Sequence, residues 1–105
     1  MDIEQLHIEG LNAASRTTNQ YLAAHGDRDA CGFAWVSIYG VKGSTKIGKK
    51  LISLGFRKSY EGGLQYWNPS GSMTQCITAK EEGANAYAKI FKDAGFEAYM
   101  GSRMD

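Results

Sequence analysis

Six basic side chains, Lys42, Lys46, Lys49, Lys50, Arg57 and Lys58, fall in a stretch, residues 30–60, that holds no acidic residue. Five aromatic residues share it: Phe33, Trp35, Tyr39, Phe56 and Tyr60. Cations that neutralise phosphates, mixed with rings on which bases stack, are the ingredients of a site for an anionic polymer. The whole chain carries a net charge of only +1, so the excess is local and the remainder is net acidic. Lys46, Lys49 and Lys50 recur at i, i+3 and i+4, which places them on one face of a helix. That face either tracks phosphates or is an ordinary solvated surface.

Gly43 to Lys50 fits the pattern G-x-x-x-x-G-K-x, but Lys50 stands where a nucleotide-binding loop needs a hydroxyl for magnesium. Ile47 also fits a helix already under way, so a nucleotide loop is not expected. A single phosphate or carboxylate near the backbone N–H groups of Thr45 and Lys46, with Lys42 and Lys46 beside it, is the weaker expectation. Gly32-Phe33-Ala34-Trp35-Val36-Ser37-Ile38 resembles the RNA-recognition-motif signature K/R-G-F/Y-G/A-F-V-x-F/Y. Cys31 replaces its basic residue, Trp35 and Ile38 replace aromatics of the pattern, and the match falls on the first strand instead of the third. A hydrophobic central strand explains the same residues.

Other chemistry has little support. His7 and His25 are too far apart along one helix to ligate a metal together, and no Cys/Asp/Glu set completes a site. Two cysteines, Cys31 and Cys76, are too few for a disulfide framework or a zinc site and read as thiols in a reducing cytosol. There is no G-x-S-x-G, no H-E-x-x-H and no useful carboxylate pair. The expectation is a protein that is not an enzyme, with no cofactor and no metal. The start, Met-Asp-Ile-Glu, lacks the pattern of a secretory signal, and no apolar run approaches the ~20 residues that span a bilayer. A cytoplasmic protein with no membrane partner is expected.

The elements that must position these residues follow from periodicity. At 105 residues, 43% hydrophobic and 22% charged, the chain suits one globular domain with its own core. Asp2 caps a first helix in which Leu6, Leu11, Ala14, Thr18, Tyr21 and Leu22 recur to about His25, and Gly26 stops it. Asp27-Arg28-Asp29 reads as a charged linker. Residues 32–39 alternate as a strand, with Phe33, Trp35, Ser37 and Tyr39 on one face and Ala34, Val36 and Ile38 on the other. Ser44 is expected to cap a second helix that turns Ile47, Leu51 and Leu54 to the core, ending at Gly55. Residues 56–60 and 64–68 read as a hairpin about Glu61-Gly62-Gly63. A polar loop follows Pro69. Thr78 and Glu81 form a T-x-x-E capping box for a third helix with Ala84, Tyr87, Ala88 and Phe91 inward. Residues 96–100 make a last strand.

The order β-α-β-β-α-β after the first helix predicts an α+β, ferredoxin-like split sandwich over residues 31–101, preceded by the amphipathic helix 1–26. Its first and third strands are expected at the centre, with both crossover helices on one face. Phe33, Trp35 and Tyr39, joined by Trp67 or Tyr66 and by Tyr99, then point to an open face too apolar to leave in water. The first helix, a second copy, or stacked bases would cover it.

Several separated blocks, Cys31-Gly32-Phe33-Ala34-Trp35, Gly55-Phe56-Arg57-Lys58, Tyr60 to Ser70 and Gly101 to Asp105, resemble in the same order a set of small uncharacterised proteins encoded by tailed bacteriophages. The resemblance covers roughly residues 30 to 105. It implies a small accessory protein acting in an infected bacterial cell, and it assigns no functional residue. The sequence thus points to a binding protein that self-associates, as a homodimer, or meets a host protein. The alternative is nucleic-acid binding by the basic segment 42–58.

Overall fold

Asp2 accepts the backbone N–H of Gln5 at 3.2 Å, which satisfies one of the open donors at the start of helix α1, Ile3–His25. Gly26, at φ 77, ends the helix. The other elements are β1 Gly32–Tyr39, α2 Lys46–Ser53, β2 Arg57–Lys58, β3 Leu64–Trp67, α3 Ile77–Asp93 and β4 Glu97–Met104. The computed structural model describes residues 2–27 and 30–105. Arg28 and Asp29 of the expected linker lie outside the described residues. Asp27 lies within them, and its Oδ1 accepts the Thr74 hydroxyl at 2.6 Å.

The four strands form one antiparallel sheet in the order β2-β3-β1-β4, with β1 and β3 central. Trp35 lies opposite Trp67 on β3 and Gly101 on β4. Side chains alternate across the sheet. Ala34, Val36 and Ile38 point to the helices and are buried. With Leu64, Phe56, Leu51, Tyr87 and Phe91 they make the core, so α2 and α3 cover one face of the sheet. The result is an α+β domain with an N-terminal helix.

Helix α1 packs along α3 and touches α2, on the helix side of the sheet. Small residues let it approach. Gly10, Ala14 and Thr18 recur every four residues, and a Cβ at Gly10 would lie 2.6 Å from the Tyr87 ring. Thr18 Oγ1 donates to the Ala79 carbonyl at 2.7 Å, which satisfies a buried hydroxyl. Gly83 on α3 has no room for a side chain: a Cβ would collide with Thr18 Oγ1 and sit 3.0 Å from the Ala14 carbonyl oxygen. Gly83→Ala adds about 1 kcal/mol of helix propensity, but backbone cannot yield as a side chain does. A net loss of about 1–3 kcal/mol is expected from the overpacking. Urea unfolding measures it, and an unchanged or raised midpoint would show that α1 does not pack as described.

Beneath α1, His7 Nδ1 and Tyr87 Oη lie 2.6 Å apart, and both residues are buried. The imidazole also meets the Tyr66 ring edge-on at 5.0 Å. Burial lowers the pKa of His7, partly opposed by the Glu4 carboxylate. Burial, with Tyr66 adding to it, raises that of Tyr87 far above the ordinary phenol value. With the ring neutral and the phenol protonated, the pair is satisfied when the O–H donates to Nδ1. An unfolded histidine takes its proton near pH 6.5, while folded His7 resists it. Below about pH 6.5 the unfolded chain therefore binds more protons. The stability from a neutral His7 is complete above that pH and is lost as the pH falls toward the lowered folded pKa. Urea midpoints should decline from about pH 7 to about pH 5 in the wild type and decline less in His7→Gln. Equal slopes would assign the decline to other groups.

The boundaries differ from expectation at several points. The cap of α2 is Thr45, not Ser44: its Oγ1 accepts the Gly48 N–H at 3.1 Å and donates to the Lys42 carbonyl at 2.6 Å. Ile47 does not face the core and is 41% exposed. Gly48 faces inward in its place, because the Lys42–Gly43 backbone passes too close for any Cβ there. Cys76 caps α3 ahead of Thr78, its Sγ accepting the Ala79 N–H at 3.4 Å. Strand β2 holds only Arg57 and Lys58, and β4 runs to Met104 because its whole length pairs with β1. Cys31 and Cys76 are distant in sequence but directly opposed in an isolated antiparallel bridge.

Candidate functional site

The face of the sheet away from the helices is built by the odd-numbered positions of its strands. Strand β1 supplies Phe33, Trp35, Ser37 and Tyr39. Register places Trp67 opposite Trp35 and Gln65 opposite Ser37 on β3, and Arg57 of β2 opposite Gln65. On β4, Arg103, Gly101, Tyr99 and Glu97 lie opposite Phe33, Trp35, Ser37 and Tyr39. Since α1 packs among the other helices, neither it nor α2 or α3 lies across this surface.

The rings on this face form two groups. Trp35 and Trp67 stack with centroids 4.8 Å apart and planes 30° apart, and Phe33 meets Trp67 edge-on at 6.1 Å. Tyr39 and Tyr99 form the second group, at 6.1 Å. Glycine at position 101 is what lets Trp35 lie across the β4 backbone, since a Cβ there would collide with the indole. Ser37 is buried between the groups. Trp67 remains 47% exposed and Tyr99 51%. Three cations lie over rings: the Arg103 guanidinium 5.5 Å from the Phe33 centroid, Lys92 Nζ 4.8 Å from Tyr99, and Lys80 Nζ 5.5 Å from Phe33. Lys80 also donates to the Gly32 carbonyl at 3.0 Å and is buried. Such contacts hold the rings in place, and the exposed Arg103 and Lys92 leave positive charge at the rim.

The six basic residues singled out in the sequence do not form one patch. Lys46, Lys49 and Lys50 border a groove of about 830 Å³ between α2 and the start of α1. There Lys50 Nζ pairs with the Glu4 carboxylate at 3.5 Å. Lys42 and Lys58 border a second cleft, of about 480 Å³, at the 40–44 and 59–63 turns. Arg57 alone of the six lies on the aromatic face. Phe33, Trp35, Tyr39 and Trp67 all lie on that face, the first, second and fourth in one group and Tyr39 in the other. Tyr66 does not: it points to the helix side and packs on His7 and Phe56. Arg103 and Gln65 join the face without having been singled out. The same alternation that selected Tyr99 would have found Arg103, had the last strand been extended beyond Met100.

This surface is broad and open, whereas sites for small substrates are concave and enclose them. No group of three or more His, Cys, Asp or Glu side chains among the described residues is placed to hold a metal. Among the described residues no helix is long and apolar enough to cross a membrane. No family model, curated protein or solved structure matches the chain.

Proposed function

We propose that the chain is a small non-enzymatic binding protein that docks a partner protein on the uncovered aromatic face of its sheet. One observation carries this reading. Helix α1, the element best able to cover Phe33, Trp35 and Trp67 from within the chain, lies on the opposite side of the sheet. Half-buried and exposed rings gathered on one sheet face with a polar rim mark an interaction surface. The partner is a second copy of the chain or a host protein. The β-α-β-β-α-β order with β1 and β3 central supports a ferredoxin-like reading of the fold, which leaves one sheet face free by construction. With the resemblance to proteins of tailed bacteriophages, the setting we propose is an accessory factor in the cytoplasm of an infected bacterium.

A second reading is single-stranded nucleic acid, and the observation favouring it is that Arg57, opposite Gln65, and Arg103, over the Phe33 ring, lie on the same sheet face as the stacked tryptophans. Rings for bases and cations for phosphates then share one face, and the binding surface moves from the 42–58 segment to the sheet. Light scattering over a concentration series, with oligonucleotide titrations at low and high salt, separates the two. A mass above the 11.5 kDa of one chain, insensitive to oligonucleotide, supports protein docking. A single-chain mass with oligonucleotide affinity that falls steeply with salt supports the second reading. A single-chain mass, no oligonucleotide binding and no host protein recovered by the wild type in preference to a Trp67→Ala control would refute both.

A further inference from the structure

The two cysteines occupy opposed positions in the fold. Gly32 N–H donates to the Gln75 carbonyl at 3.2 Å, and Ile77 N–H donates to the Ala30 carbonyl at 2.9 Å. These bonds bracket Cys31 and Cys76, which form an antiparallel bridge between them. A bridge bracketed in this way is a non-hydrogen-bonded pair, whose Cα atoms sit about 4.5 Å apart with side chains leaving the same face. Disulfides span Cα separations of about 4.4–6.8 Å, so the backbone already stands within bonding range. The chain has two cysteines among 105 residues, and they are each other's bridge partners. Cys31 is exposed and Cys76 is buried, where its Sγ accepts the Ala79 N–H at the start of α3.

We propose that Cys31 and Cys76 are a site of reversible covalent modification, closing to an intramolecular disulfide when the protein meets a low-molecular-weight disulfide. The exposed Cys31 reacts first. Its thiolate attacks one sulfur of the oxidant, the oxidant's S–S bond breaks, and one thiol leaves with the proton lost by Cys31. The Cys76 thiolate then attacks Cys31 Sγ, displaces the second thiol with its own proton, and completes the protein disulfide. Two protein thiols are oxidised and one small disulfide is reduced to two thiols. The bond ties the start of β1 to the cap of α3 and closes the chain between residues 31 and 76. It restricts the unfolded chain, and the inference does not depend on which partner the aromatic face takes.

Glutathione disulfide is a suitable probe. After incubation with an excess, followed by denaturation, alkylation and mass measurement, the wild type should be a single chain lighter by two hydrogens, with no alkyl group added. Its melting temperature should rise by roughly 10 °C and return when dithiothreitol is added. Cys76→Ser, which lacks the resolving thiol, should instead accumulate a glutathione adduct on Cys31. Two alkylatable thiols in treated wild type, a persistent adduct with Cys76 still reduced, or an intermolecular dimer as the oxidised product would each overturn the proposal.

Discussion

Replacing Tyr87 by alanine is expected to lower the free energy of unfolding by about 3–5 kcal/mol, the largest single-site effect in the molecule. Domains of this size are stable by about 5–15 kcal/mol in total, so the variant should be partly unfolded at room temperature or in low urea. Tyr87 is fully buried and joins three layers of contact at once. Its ring stacks on Phe91 at 5.3 Å and on Tyr66 at 6.0 Å. On the other side it receives Gly10 of α1, and its hydroxyl meets His7. Truncation opens a cavity between α1, α3 and the sheet that none of these neighbours can fill. Tyr87→Phe isolates the hydroxyl. It keeps the packing and leaves His7 Nδ1 without its acceptor bond, at a cost of about 1–3 kcal/mol. Chemical unfolding of both variants measures the two effects. If Tyr87→Ala loses less than Tyr87→Phe, α1 does not depend on this contact.

Trp67→Ala should act mainly on binding of a partner, at a smaller cost to the fold than Tyr87→Ala. The side chain is half exposed, so its truncation gives up about half of a tryptophan's burial, about 1–3 kcal/mol. As a tryptophan at the centre of the open face it has the character of a binding hot spot, where loss of the ring costs 2 kcal/mol or more. Dissociation constants for the partner should rise by about 30-fold or more. Trp35 is a poorer probe, because its indole also covers the Gly101 backbone. Reversing both Arg57 and Arg103 to glutamate distinguishes the partner classes. Loss of salt-sensitive oligonucleotide binding follows under the nucleic-acid reading. A protein partner should respond more to Trp67→Ala than to the two charge reversals.

Strong local signals in the sequence carried through. Alternation over Gly32–Tyr39 gave the strand limits and separated Ala34, Val36 and Ile38 from the aromatics on the other face. The inward set on the third helix, Ala84, Tyr87, Ala88 and Phe91, is buried throughout. Less legible was the docking of α1. Its contact stripe is made of Gly10, Ala14 and Thr18, which add little hydrophobic signal although they set how closely two helices approach. The i, i+4, i+7 spacing of Ile47, Leu51 and Leu54 turns Ile47 inward, but the close passage of the 42–43 backbone, a tertiary feature, selects Gly48. The segment after Pro69 read as a plain polar loop. Its residues in fact bond one another, Ser72 N–H to Ser70 Oγ, Thr74 N–H to Ser72 Oγ and Cys76 N–H to Thr74 Oγ1, and they are tied to Asn68 and Asp27, with Cys76 opposite Cys31. Pairing between segments so far apart leaves no periodic trace. The basic residues were grouped by sequence proximity, and the turn at 40–44 and the short β2 send them in three directions.

The central claim is that the aromatic sheet face, not the lysine-bearing helix α2, receives the partner. Amide and indole shifts of isotope-labelled protein, followed as the protein is concentrated and as single-stranded oligonucleotide or captured host partner is added, test this most directly. The predicted result is movement of the Trp35 and Trp67 indole N–H signals together with the amides around Phe33, Gln65, Tyr99 and Arg103. Shifts confined to residues 42–50, with both indole signals unmoved, would contradict it.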